Sequence, residues 1–405
     1  MQTINKTLNI TSKGYKKILN LLNKKGEARL IGGSVRDALL GKDSYDIDIA
    51  TNLLPNEVTS ILSQAKIKTI PTGLKFGTIT AILEKEQFQI TTLRKDIECN
   101  GRHAKVIFTN DFAEDAERRD FTINALSYCP FKGKIYDYFN GFEDLEQRKV
   151  IFIGAAHQRI KEDYLRILRF FRFSSYYANR LDPESLKACE ELKNGLMSLS
   201  RERIKSEFNR IIVSSNSPEI LKVMFEIGIL ALIFSIQNYE IKIAEQAKNF
   251  NLELVYRYAL LLYHQKDLDL KIFLNWKFSK HETIQILSIL DFIRKNIITE
   301  FDIKKIWLEH KNYKEYLLTA NILGKIEYLQ ITKFINIYDS LERPKFPING
   351  TDLLTMNIEQ KKIGEKLNHL KKIWIDQDFK PSKLELLDTI MSFPRRRESS
   401  YVKIL

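Results

Sequence analysis

Asp46 and Asp48, two carboxylates one residue apart, are the most chemically suggestive pair in the chain. In an extended segment alternate side chains share a face, so the pair points one way while Ile47 and Ile49 point into a core. Side by side and unpaired, the two would repel until one took up a proton. A divalent cation is therefore their natural partner, and carboxylate oxygens suit magnesium. Shortly before them the apolar run Ala28 to Ile31 leads into Gly32-Gly33-Ser34. The glycines let backbone approach a ligand, and Ser34 is placed to cap a helix beginning at Val35. Free N–H groups at such a start attract anions, and Arg36 adds a fixed positive fork. Phosphates at the turn and metal at the carboxylates are the equipment of nucleotidyl transfer.

A second set lies in K-E-D-Y-L-R-I-L-R-F-F-R-F, residues 161–173, which reads as one helix without a breaker. Asp163 and Arg166 are three apart and hence surface neighbours. Arg166, Arg169 and Arg172 walk over ~120° of the helix, and apolar residues fill almost every other direction. Arginines in such a setting need anions, either acidic neighbours within the chain or a nucleotide's phosphates. An aspartate accepts from an exocyclic amine and an arginine donates to a ring nitrogen. Asp163 with Arg166 therefore matches the Watson–Crick edge of cytosine or adenine and mismatches guanine and uracil. Between the two sets stand Arg118 and Arg119, which on a helix diverge by ~100°, so spacing does not say which would face a ligand.

The elements that must carry these residues alternate in kind. A helix with Tyr15, Ile18, Leu19 and Leu22 on one face precedes the first strand, and another begins at Leu54-Pro55-Asn56-Glu57. Ile79 to Leu83 and Phe88 to Leu93, around Glu84-Lys85-Glu86, read as a hairpin. Residues 94–103 read as a mobile loop, and Tyr136 to Gly141 as a strand entering a turn. From about Ser214 the chain is almost wholly amphipathic helix. The expected fold class is α+β: a mixed-sheet head over 1–150, then an all-helical neck (151–215), body (216–323) and tail (324–405).

Gly32-Gly33-x-Val35-Arg36-Asp37 followed by Asp46-x-Asp48 resembles the class II tRNA nucleotidyltransferases (CCA-adding enzymes) and their bacterial poly(A) polymerase relatives. Arg118-Arg119-Asp120-Phe121-Thr122-Ile123-Asn124-Ala125 and Glu162-Asp163-x-x-Arg166 extend the likeness, which is strong over residues 28–215. It implies a nucleotidyltransferase-type head, Mg2+ at Asp46 and Asp48, and nucleotide binding by Gly33, Arg36, one of Arg118 and Arg119, Asp163, Arg166, Arg169 and Arg172, with Asp120 in support. Asp163 and Arg166 would read the base while Arg169 and Arg172 meet triphosphate. The implied reaction adds CMP and AMP from CTP and ATP to a tRNA 3′ end. Gln89 stands where the family often carries Glu, and Gly154-Ala155-Ala156 and Arg159-Ile160 replace a common Gly-Asp-Pro and Arg-Phe. Leu199 to Glu207 matches a further motif of expected structural role, with Ser200 as cap and Arg203 and Glu207 at i,i+4.

Bulk composition agrees. Lysine and arginine exceed aspartate and glutamate by 64 to 51, a net +13 that favours an anionic partner such as RNA. Cys99, Cys129 and Cys189 have neither metal-ligand nor disulfide spacing, which suits a reducing cytoplasm, and neither a secretory leader nor a membrane-spanning run is read. Pro394 to Ser400 reads as a disordered extension. Three other readings share these residues: a poly(A) polymerase, a partial enzyme adding only the A or only the two Cs, and a non-catalytic RNA-binding protein on a retired head.

Overall fold

The computed structural model describes residues 1–391 apart from Lys13, Tyr45, Gly101, Arg102 and Asn357. The extension expected at 394–400 and the tip of the loop expected around 101–102 lie outside the described residues. Two compact units are present, one of residues 1–248 with 264–280 and one of 249–263 with 281–405.

The first unit is built on an eight-stranded mixed sheet, ordered β1-β10-β9-β2-β3-β6-β5-β4. The strands are β1 (Gln2–Asn5), β2 (Ala28–Ile31), β3 (Ile47–Thr51), β4 (Lys68–Gly73), β5 (Thr78–Leu83), β6 (Glu86–Thr92), β9 (Ser127–Cys129) and β10 (Lys134–Asp137). Among the described residues only β3 and β6 pair in parallel, with α3 (Pro55–Gln64), β4 and β5 intervening between them. The hairpin expected at 79–93 is β5–β6. Its turn places Glu84 and Lys85 at φ 52° and 70°, the type I′ geometry that matches strand twist. Tyr15, Ile18, Leu19 and Leu22 of α1 (Gly14–Leu22) are buried, as their spacing required. So are Val58 and Leu62 of α3.

Two segments depart from expectation. Residues 94–103 do not form a plain loop: β7 (Arg94–Asn100) and β8 (His103–Phe108) pair as a separate antiparallel ribbon. Their polar composition hid a register that backbone pairing supplies. Nor is 161–173 one helix. It divides into α6 (Ala156–Glu162) and α7 (Leu165–Tyr177), with Asp163 extended between them at φ −155° and ψ 107°. Here side-chain contacts override a run of strong helix formers.

Further helices of the first unit include α2 (Gly33–Leu39), α4 (Phe112–Glu117), α5 (Gly141–Glu146), α8 (Pro183–Leu192) and α9 (Arg201–Ile212). α7 meets the sheet region through aromatic rings: Phe121 lies 4.8 Å from Phe152 and 5.3 Å from Phe173, and Phe152 lies 5.8 Å from Phe170. Leu165, Ile167, Leu168, Phe170, Phe171 and Phe173 of α7 are all buried.

Among the described residues every element after β10 is helical. In the second unit Trp307 packs on Tyr338 and Phe379, and Leu353, Leu370, Trp374, Ile375 and Leu386 form a terminal core with Ile348. No helix among the described residues is long and apolar enough to cross a membrane. Cys129 and Cys189 are free and buried.

Candidate active site

Asp46 and Asp48 open onto one cleft of about 880 Å³ in the first unit. β3 sets this up: Ile47 and Ile49 are 2% and 0% exposed, so Asp48 between them and Asp46 just before the strand face the other way. Burial raises the pKa of Asp48 and the neighbouring Asp46 charge adds to it, while Arg119 opposes both. A carboxylate pair held at this cost is suited to a divalent cation. Among the described residues no group of three or more acidic, His or Cys side chains converges to complete a cage. In the parallel register Gln89 stands directly beside Asp48, so the position where the family resemblance leads to an expectation of Glu is adjacent but neutral. A two-carboxylate site of this kind suits an ion that keeps water and phosphate among its ligands, as Mg2+ does.

Beside the acids the backbone turns at Gly32, whose φ of 68° favours glycine and whose missing side chain leaves room for the Arg119 guanidinium. Gly32, not Ser34, occupies the N-cap of α2. Ser34 lies in the first turn, fully buried, and its hydroxyl donates back to the Ile31 carbonyl at 3.1 Å. Arg36 is the fixed fork expected. It grips Asp37 at 3.0 and 3.1 Å, donates to Asn124, and lies 4.1 Å over the Tyr177 ring. The Tyr177 hydroxyl donates to Asp37 at 2.9 Å, and burial pushes its pKa up to about 12.

Arg118 and Arg119 follow the end of α4 rather than sitting within a helix, and both line the cleft. They share Asp115, at 2.8 and 3.3 Å. Burial alone would raise the Asp115 pKa, but the two guanidinium charges bring it below the usual carboxylate range. Arg159 fixes this corner by donating to the carbonyls of Arg118 and Arg119 at 2.7 and 2.5 Å. Arg94 also lines the cleft, and burial with the like charge of Arg118 lowers its pKa to about 10.

The α6–α7 break presents the second set to the same cleft, which Asp163, Arg166, Arg169 and Arg172 all line. Asp163 and Arg166 are not bonded through their side chains. Asp163 accepts from the Leu165 N–H at 3.1 Å and from Arg203 at 2.7 Å. Arg166 places Nη1 on Glu162 and on the Arg159 carbonyl. Tyr164, at the break, lies where any side chain on Gly195 would overlap its ring. Arg169 binds Asp120, and Arg172 binds Glu207 at 2.6 Å. The two environments weighed for these arginines thus coexist, since each has an internal carboxylate and each faces the cleft.

Sequence reasoning undervalued 199–207. Ser200 sits at the N-cap of α9 without a side-chain cap bond. Arg203 and Glu207 bond to Asp163 and Arg172 rather than to each other. Arg203 and Arg210 line the cleft as well. The available signal was their spacing: 203, 207 and 210 fall on one helix face.

Comparison with known proteins agrees with this geometry. A family described as Poly A polymerase head domain matches residues 28–151, and one described as Probable RNA and SrmB- binding site of polymerase A matches 180–240. The human protein named CCA tRNA nucleotidyltransferase 1, mitochondrial, is 35% identical over 397 residues, 94% of this chain and 90% of its own length. The Staphylococcus epidermidis CCA-adding enzyme is 30% identical over 356 residues, covering 84% of this chain and 87% of the relative. The solved Bacillus stearothermophilus CCA-adding enzyme in complex with CTP shares the fold, with a TM-score of 0.74 at 24% identity over 93% of this chain and 96% of that one. Identity at this level along nearly the whole length shows that the chain belongs to the class II tRNA nucleotidyltransferase (CCA-adding enzyme) and poly(A) polymerase family.

Proposed function

We propose that this chain adds CMP and AMP from CTP and ATP to the 3′ end of tRNA, choosing each base with protein side chains and releasing pyrophosphate. The observation that carries the reading is that one cleft holds both the acid pair, Asp46 and Asp48, and the base-reading pair, Asp163 and Arg166. Relatives named CCA-adding enzymes, and solved relatives described as complexes with ATP, CTP or tRNA, support it.

Asp163 uses two of about four acceptor sites on the Leu165 N–H and Arg203, leaving others for an exocyclic amine. Arg166 uses only Nη1 internally, leaving Nε and Nη2 for a ring nitrogen. Guanine or uracil would set donor against donor there, the kind of mismatch that discriminates strongly. Arg36, Arg169 and Arg172 line the path for triphosphate with the Gly33 backbone. Of the adjacent arginines we assign Arg119 to the nucleotide, because it stands against Gly32 and its charge acts on Asp48. Asp46 and Asp48 would hold Mg2+, which when bound activates the attacking 3′-hydroxyl and neutralises triphosphate charge.

We divide the chain into head (1–150), neck (151–215), body (216–323) and tail (324–405), the last two tracking tRNA phosphates with lysines. The free buried cysteines suit a reducing compartment such as the cytoplasm.

The test incubates the chain with Mg2+, tRNA lacking its terminal CCA, and CTP and ATP separately and together. Two Cs followed by one A are expected. A homopolymer of A assigns the chain to poly(A) synthesis, and A alone or C alone to a partial enzyme. Asp46→Ala should lose all incorporation, by at least about a thousandfold, and keep tRNA binding. Lost tRNA binding would contradict the role given to Asp46.

A further inference from the structure

Arg203, Glu207 and Arg210 share one face of α9, and α7 packs along this helix. The facing groups step in order. Arg203 meets Asp163 at 2.7 Å, and Glu207 meets Arg172 at 2.6 Å and reaches Arg169 at 3.9 Å. At the third step the Tyr176 hydroxyl donates to the Arg210 carbonyl at 3.1 Å, which holds the two helices together there. The first two steps set opposite charges against each other; the third does not. No carboxylate among the described residues lies within ion-pair distance of the Arg210 guanidinium, which is exposed and lines the cleft. Burial, with the like charges of Arg169 and Arg210, lowers the pKa of Arg172 against the pull of Glu207. Two arginines thus stand near one another with a single carboxylate, an arrangement that an incoming anion completes.

We propose that Arg210, beside Arg172, binds the outer phosphates of the incoming nucleotide and the pyrophosphate that leaves. This rests on the nucleotidyl-transfer reading above. Direction supports the outer phosphates. At 1.5 Å per residue, Arg172 lies about 9 Å along α7 from Arg166. The far end of α7 carries Tyr177 against Arg36 and Asp37 of the phosphate-side helix. A base held at Asp163 and Arg166 therefore extends its terminal phosphates toward Arg172 and Arg210. The other source of the same chemistry is an RNA backbone phosphate, and the experiment separates the two.

The test measures equilibrium binding of CTP, inorganic pyrophosphate and CMP to the full chain without RNA, for wild type, Arg210→Ala and Arg210→Lys, with melting curves as a folding control. Arg210→Ala should weaken CTP and pyrophosphate about tenfold, the scale of one charge-assisted contact, and leave CMP unchanged. Arg210→Lys should recover part of the loss, since the charge remains without the planar fork. Equal weakening of CMP overturns the proposal. So does undiminished CTP binding with weakened tRNA binding, which assigns Arg210 to the RNA backbone. If wild type itself binds no CTP, the reading beneath fails; if wild type binds and Arg210→Ala binds equally, only this site fails.

Discussion

Asp120 is 6% exposed and meets four N–H donor groups from three residues on its two oxygens. Oδ1 accepts from the Phe121 N–H at 2.9 Å and Asn124 at 3.0 Å, and Oδ2 meets Arg169 Nε at 2.7 Å and Nη2 at 2.5 Å. Asp120→Asn keeps the shape, removes the charge and turns one acceptor into a donor. Whichever way the amide lies, its NH2 faces N–H groups. Removing one member of a buried pair costs about 3–5 kcal/mol. Arg169 retains 34% exposure and a 3.9 Å approach to Glu207, so solvent and Glu207 recover part of this. The expected loss is about 2–3 kcal/mol. The sign with pH follows from the carboxyl's lowered pKa: burial would raise it, but Arg169 and Asn124 overcome burial. The wild-type advantage is thus fully present above the unfolded carboxyl value of about 3.9 and shrinks as pH falls through the lower folded value. Hydrogen exchange across 118–177 reads this region alone, which matters in a chain of two units. In turnover, a misplaced Arg169 should lower kcat/KM for CTP about a hundredfold. Wild-type protection together with wild-type turnover in Asp120→Asn would mean that Asp120 does not position Arg169.

Arg203→Ala removes one charge-assisted bond from Asp163, a loss of about 1.5–3 kcal/mol in its orientation, and should raise misincorporation of UTP and GTP about tenfold or more. Single-nucleotide kinetics check this; unchanged selectivity would remove Arg203 from the base-reading apparatus. Asp48 behaves oppositely to Asp120. Burial raises its pKa, so in the metal-free fold its ionisation costs stability as pH rises through the unfolded value and on to the folded one. Asp48→Asn should therefore raise the metal-free melting temperature at neutral pH, since it removes a buried charge the fold has to bear. It should at the same time lose activity, and an unchanged or lower melting temperature would contradict the burial argument.

Several parts of this site were legible because they are local. Alternation about Ile47 and Ile49 fixed where Asp46 and Asp48 point, the Gly32 turn carries its own turn chemistry, and the β5–β6 hairpin is marked by two strand-like runs around a short charged turn. What was not legible depends on residues far apart in the chain. The carboxylates that hold Arg169 and Arg172 lie 49 and 35 residues away, where no periodicity reaches. The break in the helix-prone run 161–173 is held by Arg203, 40 residues on, which no local pattern announces; the Asp163 bond to the Leu165 N–H is its one local component. Ser34 failed as a cap for a local reason: the helix starts at Gly33 with Gly32 at the N-cap, so Ser34 already lies inside the first turn, where its hydroxyl donates to the Ile31 carbonyl.

The internal carboxylates carry a kinetic consequence. Asp115, Asp120, Glu162 and Glu207 already partner the arginines they hold. A stray orthophosphate therefore meets arginines whose charge is partly balanced, and a single contact returns little net free energy. Residence is thereby reserved for a ligand long enough to touch several at once. When such a ligand is cut in two, each shorter fragment keeps fewer of these contacts, which helps to clear the cleft for the next round.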